Sequence, residues 1–322
     1  MVVVEALTSS AARSVIDRFG DREPLTQSLG YAAALQERGF SCLLAGPAIV
    51  LLKPGEGGVL AQMQRPRALD LGLLEVIAAR TGVTRLLVEP ALRVVLIDRD
   101  ERRATLHFGP AEVERSRERL LALGWTPAPP SAHTRTQVID LAGGLDETVA
   151  GFSAIARRNT RIALARPVTY DARPLDAIAP EEYAEVEALD VEVRAEKPYL
   201  RDDRALRTSL VRGFGPRGFL ITARAADRLL GVIYLLLHDR VATYFAAFSC
   251  AEARPLRVPT GLVFRALACA VAEGCDLFDL CGLWDPRHPD RYPRWRGFTR
   301  FKQRFGGVSV DFGPSFDARL PV

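Results

Sequence analysis

The sequence predicts an α/β (α+β) protein of two domains, each a mixed or antiparallel sheet flanked by helices. Three observations predict it. The length of 322 residues suits about two domains. Residues 1–125 interleave short apolar runs with helical periods, while the second half carries a meander of three strand-like runs, a helix and a further apolar run. Between them lies TPAPPSAHT (126–134), a Pro-rich stretch that reads as an extended linker. The expected boundaries are 1–133, 134–309 and a tail, 310–322, that returns to the first domain.

The elements follow in order. Residues 10–19 and 27–38 have helical spacing, with Leu29, Ala32, Ala33 and Leu35 near one face and Gly39 as the stop. FSCLLAG and AIVLLKPG read as two strands turned at Gly46-Pro47, and GVLAQMQ as a third. LDLGLLEVIAARTG is an amphipathic helix closed by Gly82; VTRLLVEP is a strand stopped by Pro90. AEVERSRERLLALGW is a helix ending at Gly124. RTQVIDLAGG is a strand, and residues 145–166 are helical with a break near Gly151. PVTYDA is a strand; residues 179–196 form an acidic helix broken at Lys197-Pro198, and DDRALRTSLVRGF forms another. GFLITARA, RLLGVIYLLLH and VATYFAAFS make the meander, turning at Ala226-Asp227 and His238-Asp239. Thr260 and Gly274 are placed as the caps of the next helix, and CDLFDLCG is the last core strand before a polar, aromatic loop and a short helix bearing Phe301 and Lys302.

Composition excludes several classes. Charged content is 25%, and no run of 18 uncharged apolar residues offers a membrane span. The start has Glu5 and no basic stretch, so it does not read as a secretory signal. Five cysteines in mostly apolar settings, with no CxxC pair, read as free thiols of a reducing cytoplasm, so the chain is expected to be cytoplasmic. The four histidines are scattered, so no metal site is expected, and no G-x-S-x-G elbow is present. A net charge of +4 permits an anionic partner without requiring one.

Among 43 lysine and arginine residues only three are lysine: Lys53, Lys197 and Lys302. Lysine approaches one oxygen end-on as a point charge, whereas arginine is a planar fork. On residue type alone Lys302 reads first as a solvated helix residue, with a functional role as the alternative. Arg157, Arg158 and Arg161, with Arg166, sit along one helix, either as a solvated face or as an RNA contact. The Gly-rich run Arg212–Gly218 reads as a turn rather than a phosphate loop.

The second half resembles a GNAT acyltransferase domain. Such domains hold the coenzyme A pyrophosphate on a Q/R-x-x-G-x-G/A loop at a helix N-terminus. Here that place reads R-P-L-R-V-P-T-G, with prolines where N–H donors are needed and Gly261 alone among the glycines. Coenzyme A is therefore not expected as a cofactor, and no other cofactor is. Over nearly its whole length the chain resembles the Fem family (FemABX) of aminoacyl-tRNA-dependent peptidyltransferases. LTQSLGYAAAL resembles that family's early helix, LLVEP its strand ending in acid-Pro, and IARRNTRIALAR its Arg-rich helix. The most specific match is FDLCGL followed by GFTRFKQRFGG and FDARL, similar to the family's "YDFGGI … GLYxFKxxFGG … G-x-x-D" ending. The family has two GNAT-like domains, and the long coiled-coil arm of some members has no heptad run to match it here.

The resemblance implies attack of an acceptor amine on the ester of aminoacyl-tRNA. Lys302, with Phe301 beside it, then matches the lysine at the developing oxyanion. Glu89 matches the acid-Pro acid as a base, with the terminal ribose hydroxyl as the alternative. Arg157, Arg158, Arg161, Arg300 and Arg304 become tRNA contacts. Tyr31, Lys197, Tyr244 and Trp284 become acceptor contacts, with the loop from Trp284 to Arg296 as a gate. The early helix reads Tyr31-Ala-Ala-Ala34, with no cation for a pyrophosphate. The expected acceptor is therefore a peptide-like amine, free or on a carrier protein, in peptide natural-product (antibiotic) biosynthesis. A peptidoglycan precursor is the alternative acceptor. A coenzyme A-dependent N-acyltransferase and a catalytically silent binding protein are the competing classes.

Overall fold

The computed structural model describes residues 10–55, 58–109, 112–197 and 203–320. The chain start before Ser10 and the breaker Pro198 lie outside the described residues. The chain divides into two compact units. One is Gly20–Arg135 with the C-terminal stretch from Val310; the other is Thr136–Ser309 with the N-terminal helix as far as Phe19.

That helix, α1, spans Ser10–Asp21. The first unit continues with α2 (Leu29–Glu37), β1 (Ser41–Ala45), β2 (Ala48–Gly55), β3 (Gly58–Gln64), β4 (Ala68–Asp70) and α3 (Leu71–Thr81). Then come β5 (Val83–Glu89), β6 (Arg93–Ile97), β7 (Arg103–His107), α4 (Val113–Ala122) and β8 (Thr126–Ala128). The six-stranded sheet runs β1, β2, β3, β5, the C-terminal strand Ser315–Arg319, then β8. Only β3 and β5 pair in parallel, bridged by α3. Asp70 starts that helix by accepting the Leu73 N–H at 3.0 Å, and Gly82 ends it at φ +69°, a conformation that disfavours other residues. Leu74 and Ile77 on its apolar face pack into a core with Leu86, Val88, Leu96, Phe108 and Phe316, and Ala78 beside them is buried.

Two features of this unit depart from the sequence reading. Residues 93–107, whose charged turn hides the alternation, form the β6–β7 hairpin of a separate three-stranded sheet with β4. The Pro-rich linker is partly strand: β8 pairs with Ser315–Asp317, since an edge strand tolerates proline on its open side.

The second unit holds β9 (Arg135–Asp140), α5 (Gly144–Ala150), α6 (Ala154–Leu164), β10 (Thr169–Pro174), α7 (Pro180–Glu196) and α8 (Arg204–Phe214). The meander β11 (Gly218–Ala225), β12 (Arg228–His238) and β13 (Val241–Ser249) follows. The chain then runs through α9 (Val258–Ala272), β14 (Leu277–Asp279), α10 (Arg296–Gln303) and β15 (Val308–Asp311) before β16 (Ser315–Arg319). The seven-stranded order is β10-β11-β12-β13-β14-β9-β15. β12 is buried from Leu229 to Leu237, as befits a central strand covered on both faces. Helix α9 begins two residues before Thr260: Arg257 sits at the cap in the left-handed region (φ +59°), and Pro259 lies in the first turn, where its missing N–H costs nothing.

Candidate active site around Lys302

The site grows from a divergence of two strands. β13 and β14 pair in parallel only from Val241–Leu277 to Thr243–Asp279. Beyond Thr243, β13 stays with β12, and a bulge at Phe245 shifts the register so that Tyr244 faces Leu235 while Ala246 faces Tyr234. Bulges re-aim side chains, and this one falls where the strands part. On the other side the chain after Asp279 turns at Cys281, a non-glycine at φ +59°.

Asp279 organises that turn. It is buried at the end of β14 and accepts hydrogen bonds from the Thr136 hydroxyl and, at 2.7 Å, from the Cys281 N–H. The Cys281 and Gly282 carbonyls are then presented to Lys302, whose Nζ donates to Gly282 O at 2.9 Å and Cys281 O at 3.4 Å. Lys302 is 7% exposed. Its ammonium also lies 5.2 Å from the Tyr244 ring centre and 5.0 Å from that of Phe298, within cation–π range. Burial pushes its pKa down to about 8, against the partial support of Cys281 and Asp279. The same burial drives the Tyr244 hydroxyl well above its ordinary range. An ammonium has three donors, and two of these point at carbonyls.

Helix α10 is held from both ends. The Trp284 N–H donates to Thr299 Oγ at 2.8 Å, fastening the start of the loop one turn before Lys302. At the other end Ser153 N–H donates to Arg304 O at 2.8 Å. Gly306 and Gly307 follow at φ +76° and +80°, and a Cβ on either would lie 2.6 Å from Gly151 O or 2.3 Å from Val138 O. The paired glycines are therefore a steric requirement of the turn that returns the chain to the sheet.

The structure thus brings Lys302, Tyr244 and the Trp284 loop into one unit. Phe301 points elsewhere, packing on Phe305 (5.1 Å), which meets Phe152 edge-on at 5.2 Å, so it braces α10. Arg158, Arg161, Arg300 and Arg304 are exposed. Arg157 turns back on the carbonyls of Ala150 and Phe152, closing the break between α5 and α6. Lys197 caps the end of α7. Tyr31 and Glu89 belong to the other unit. Tyr31 lies in the first turn of α2, its N–H on Ser28 Oγ. Glu89 is 1% exposed and accepts from the Ser131 N–H (2.7 Å), the Ala132 N–H (2.9 Å) and the Ser131 hydroxyl. Oε1 takes the two N–H groups and Oε2 the Ser131 hydroxyl, so Glu89 anchors the linker.

Sequence reasoning passed over Asp279, Thr136, Thr299 and Phe298. The signal for Asp279 was an acid inside an apolar run, LFDL, where an unpaired charge would be costly. The N-terminus of α9, where the sequence lacked an anion loop, is filled by the chain itself. The Tyr170 ring packs so closely on Gly261 that a Cβ there would lie 2.3 Å from it. The Tyr170 hydroxyl is buried without a hydrogen-bond partner, and its pKa is pushed up to about 12 by burial. Among the described residues no group of three His, Cys, Asp or Glu is placed to hold a metal, and no helix is long and apolar enough to cross a membrane.

No protein-family profile and no curated protein matches the chain. Solved structures do. FemX superposes with a TM-score of 0.74 at 13% identity, covering 96% of both chains. A conserved Bacteroides thetaiotaomicron protein of unknown function gives 0.58 at 11% identity, over 97% of each. L-PGS from Bacillus licheniformis gives 0.57 at 9% identity, over 96% of this chain and 91% of that one. The chain therefore has the Fem/GNAT-like fold, an α/β architecture of two mixed sheets flanked by helices.

Proposed function

We propose that this protein is an aminoacyltransferase that uses aminoacyl-tRNA as donor and a peptide-like amine as acceptor. The acceptor nitrogen attacks the ester carbonyl carbon, a C–N bond forms, and the C–O bond to the terminal ribose breaks. The nitrogen's proton goes to the departing ribose oxygen, which needs no protein base. The Lys302 ammonium, with two donors already held on carbonyls, gives its third to the oxyanion that develops on the carbonyl oxygen. In surroundings this poor in water such a charge–charge contact is strong. Exposed Arg158, Arg161, Arg300 and Arg304 are read as contacts to tRNA phosphates.

The observation that carries the reading is Lys302: a buried ammonium kept at the parting of two strands despite a burial cost, in a chain with only two other lysines. The FemX likeness supports the donor class. Tyr170 on Gly261 weighs against the coenzyme A alternative, because a phenol occupies the helix end that a pyrophosphate would need. With no cation on α2 to meet a diphosphate, we place the acceptor among peptide natural products, free or carrier-bound, ahead of a peptidoglycan precursor. The test is mass spectrometry of products from a mixed aminoacyl-tRNA pool with candidate peptides. A mass gain of one aminoacyl residue, abolished by RNase, is expected; acylation by acetyl-coenzyme A without tRNA would sink the proposal.

A further inference from the structure

The loop and helix from Trp284 to Arg304 hold six arginines and Lys302 against two aspartates, Asp285 and Asp290, a net charge of +5. The whole chain carries +4, so outside these 21 residues it is slightly acidic. The positive charge is concentrated on one short segment, and the same segment carries a row of rings. Tyr292 stacks on Trp295 nearly in parallel, 4.1 Å between centroids at 11°. Trp295 meets Phe298 at 5.1 Å, and Phe298 lies 5.0 Å from the Lys302 ammonium. Arg291 covers Tyr292 at 5.0 Å, and Arg296 covers Trp284 at 4.3 Å. The rings of Tyr292, Trp295 and Phe298 are half-buried, and Arg294, Arg296 and Arg300 are exposed beside them. The backbone is bent to make the row: Tyr292 sits in the left-handed region at φ +55°, and Pro293 starts the next turn.

Half-exposed flat rings flanked by arginines are what an unpaired nucleic-acid strand stacks on, and a paired duplex cannot use them because its bases are already stacked. We infer that the Tyr292–Trp295–Phe298 row is a stacking platform for the unpaired 3′ nucleotides of the RNA donor, leading the terminal ribose to Lys302. This rests on the aminoacyl-tRNA reading and adds to it which part of the RNA is held and by which side chains. The rings set the register of the 3′ end, and the arginines beside them take its phosphates.

The test titrates the full-length protein with two fluorescein-labelled probes by anisotropy: a single-stranded RNA tetranucleotide with a free 3′ hydroxyl, and a blunt-ended two-stranded RNA duplex. Trp295→Ala is expected to weaken the tetranucleotide by about 10-fold or more, the loss of one stacked base. It should leave the duplex within twofold, which also shows that the variant is folded, and Trp295→Phe should recover most of the affinity. The inference is overturned if the wild type does not bind the tetranucleotide, if Trp295→Ala binds it within twofold of the wild type, or if both probes weaken equally. A wild type that binds the tetranucleotide through Trp295 but transfers nothing from charged tRNA would keep the platform and overturn the transferase reading instead.

Discussion

Replacing Lys302 with methionine separates a catalytic ammonium from a structural one. Burial lowers the lysine pKa from 10.5 to about 8. At 1.36 kcal/mol per unit, holding the charge inside at neutral pH costs about 3 kcal/mol of folding stability. Methionine removes that cost, but the buried Gly282 carbonyl loses its donor, at about 1–3 kcal/mol. The variant should therefore be as stable as the wild type at pH 7, or more stable by up to about 2 kcal/mol. The sign with pH follows from linkage. Between about 8 and 10.5 the unfolded chain holds a proton on Lys302 that the folded chain has released, so wild-type stability rises with pH there and the variant's does not. Urea unfolding at pH 7.0 and pH 9.5 should show the wild type gaining about 2 kcal/mol on the variant. Aminoacyl transfer by the variant should fall about 100- to 1,000-fold, as for loss of one oxyanion donor. A variant that loses more than about 2 kcal/mol at pH 7, with activity falling only in step with its folded fraction, would refute the reasoning.

The transfer rate, corrected for spontaneous ester hydrolysis and for the neutral fraction of the acceptor amine, should fall as pH rises through about 8, because the ammonium is the working form; a corrected rate that rises through the same pH would make neutral Lys302 a base instead. Gly307→Ala should cost more than about 3 kcal/mol in urea unfolding, since its Cβ would strike Val138 O at a positive φ that alanine resists. Glu89→Gln puts an amide where two N–H groups donate, so stability should drop by about 1–3 kcal/mol while kcat per folded molecule stays within threefold. Cys281→Gly relieves a left-handed non-glycine residue; stability should stay within about 1 kcal/mol and transfer above half, which a thiol-dependent reaction would not allow.

Legibility followed locality. Helix α3 was readable because its apolar spacing and its stop, Gly82, lie together in one short stretch. The meander was readable because turn residues separate three long apolar runs. The β6–β7 hairpin was hidden by a charged turn, and β8 by its prolines, because each owes its strand state to a partner distant in sequence. In the site, the motif match reached Lys302 and its helix. It could not foresee that Phe301 braces the helix while Tyr244 lines the ammonium, since consecutive helix positions point about 100° apart and only the packing decides which faces inward. Glu89 sits where the motif placed an acid, yet its surroundings turn it to an anchoring task that no local pattern announces.

The central claim is that charged tRNA is the donor. The direct measurement incubates the wild-type protein with a peptide acceptor and either an isotopically labelled aminoacyl-tRNA pool or acetyl-coenzyme A, and follows the acceptor by mass spectrometry. The account predicts labelled aminoacyl-peptide only with the tRNA pool, lost on RNase treatment and lost with Lys302→Met. Acetylated peptide from coenzyme A, with no aminoacyl product from charged tRNA, would contradict it.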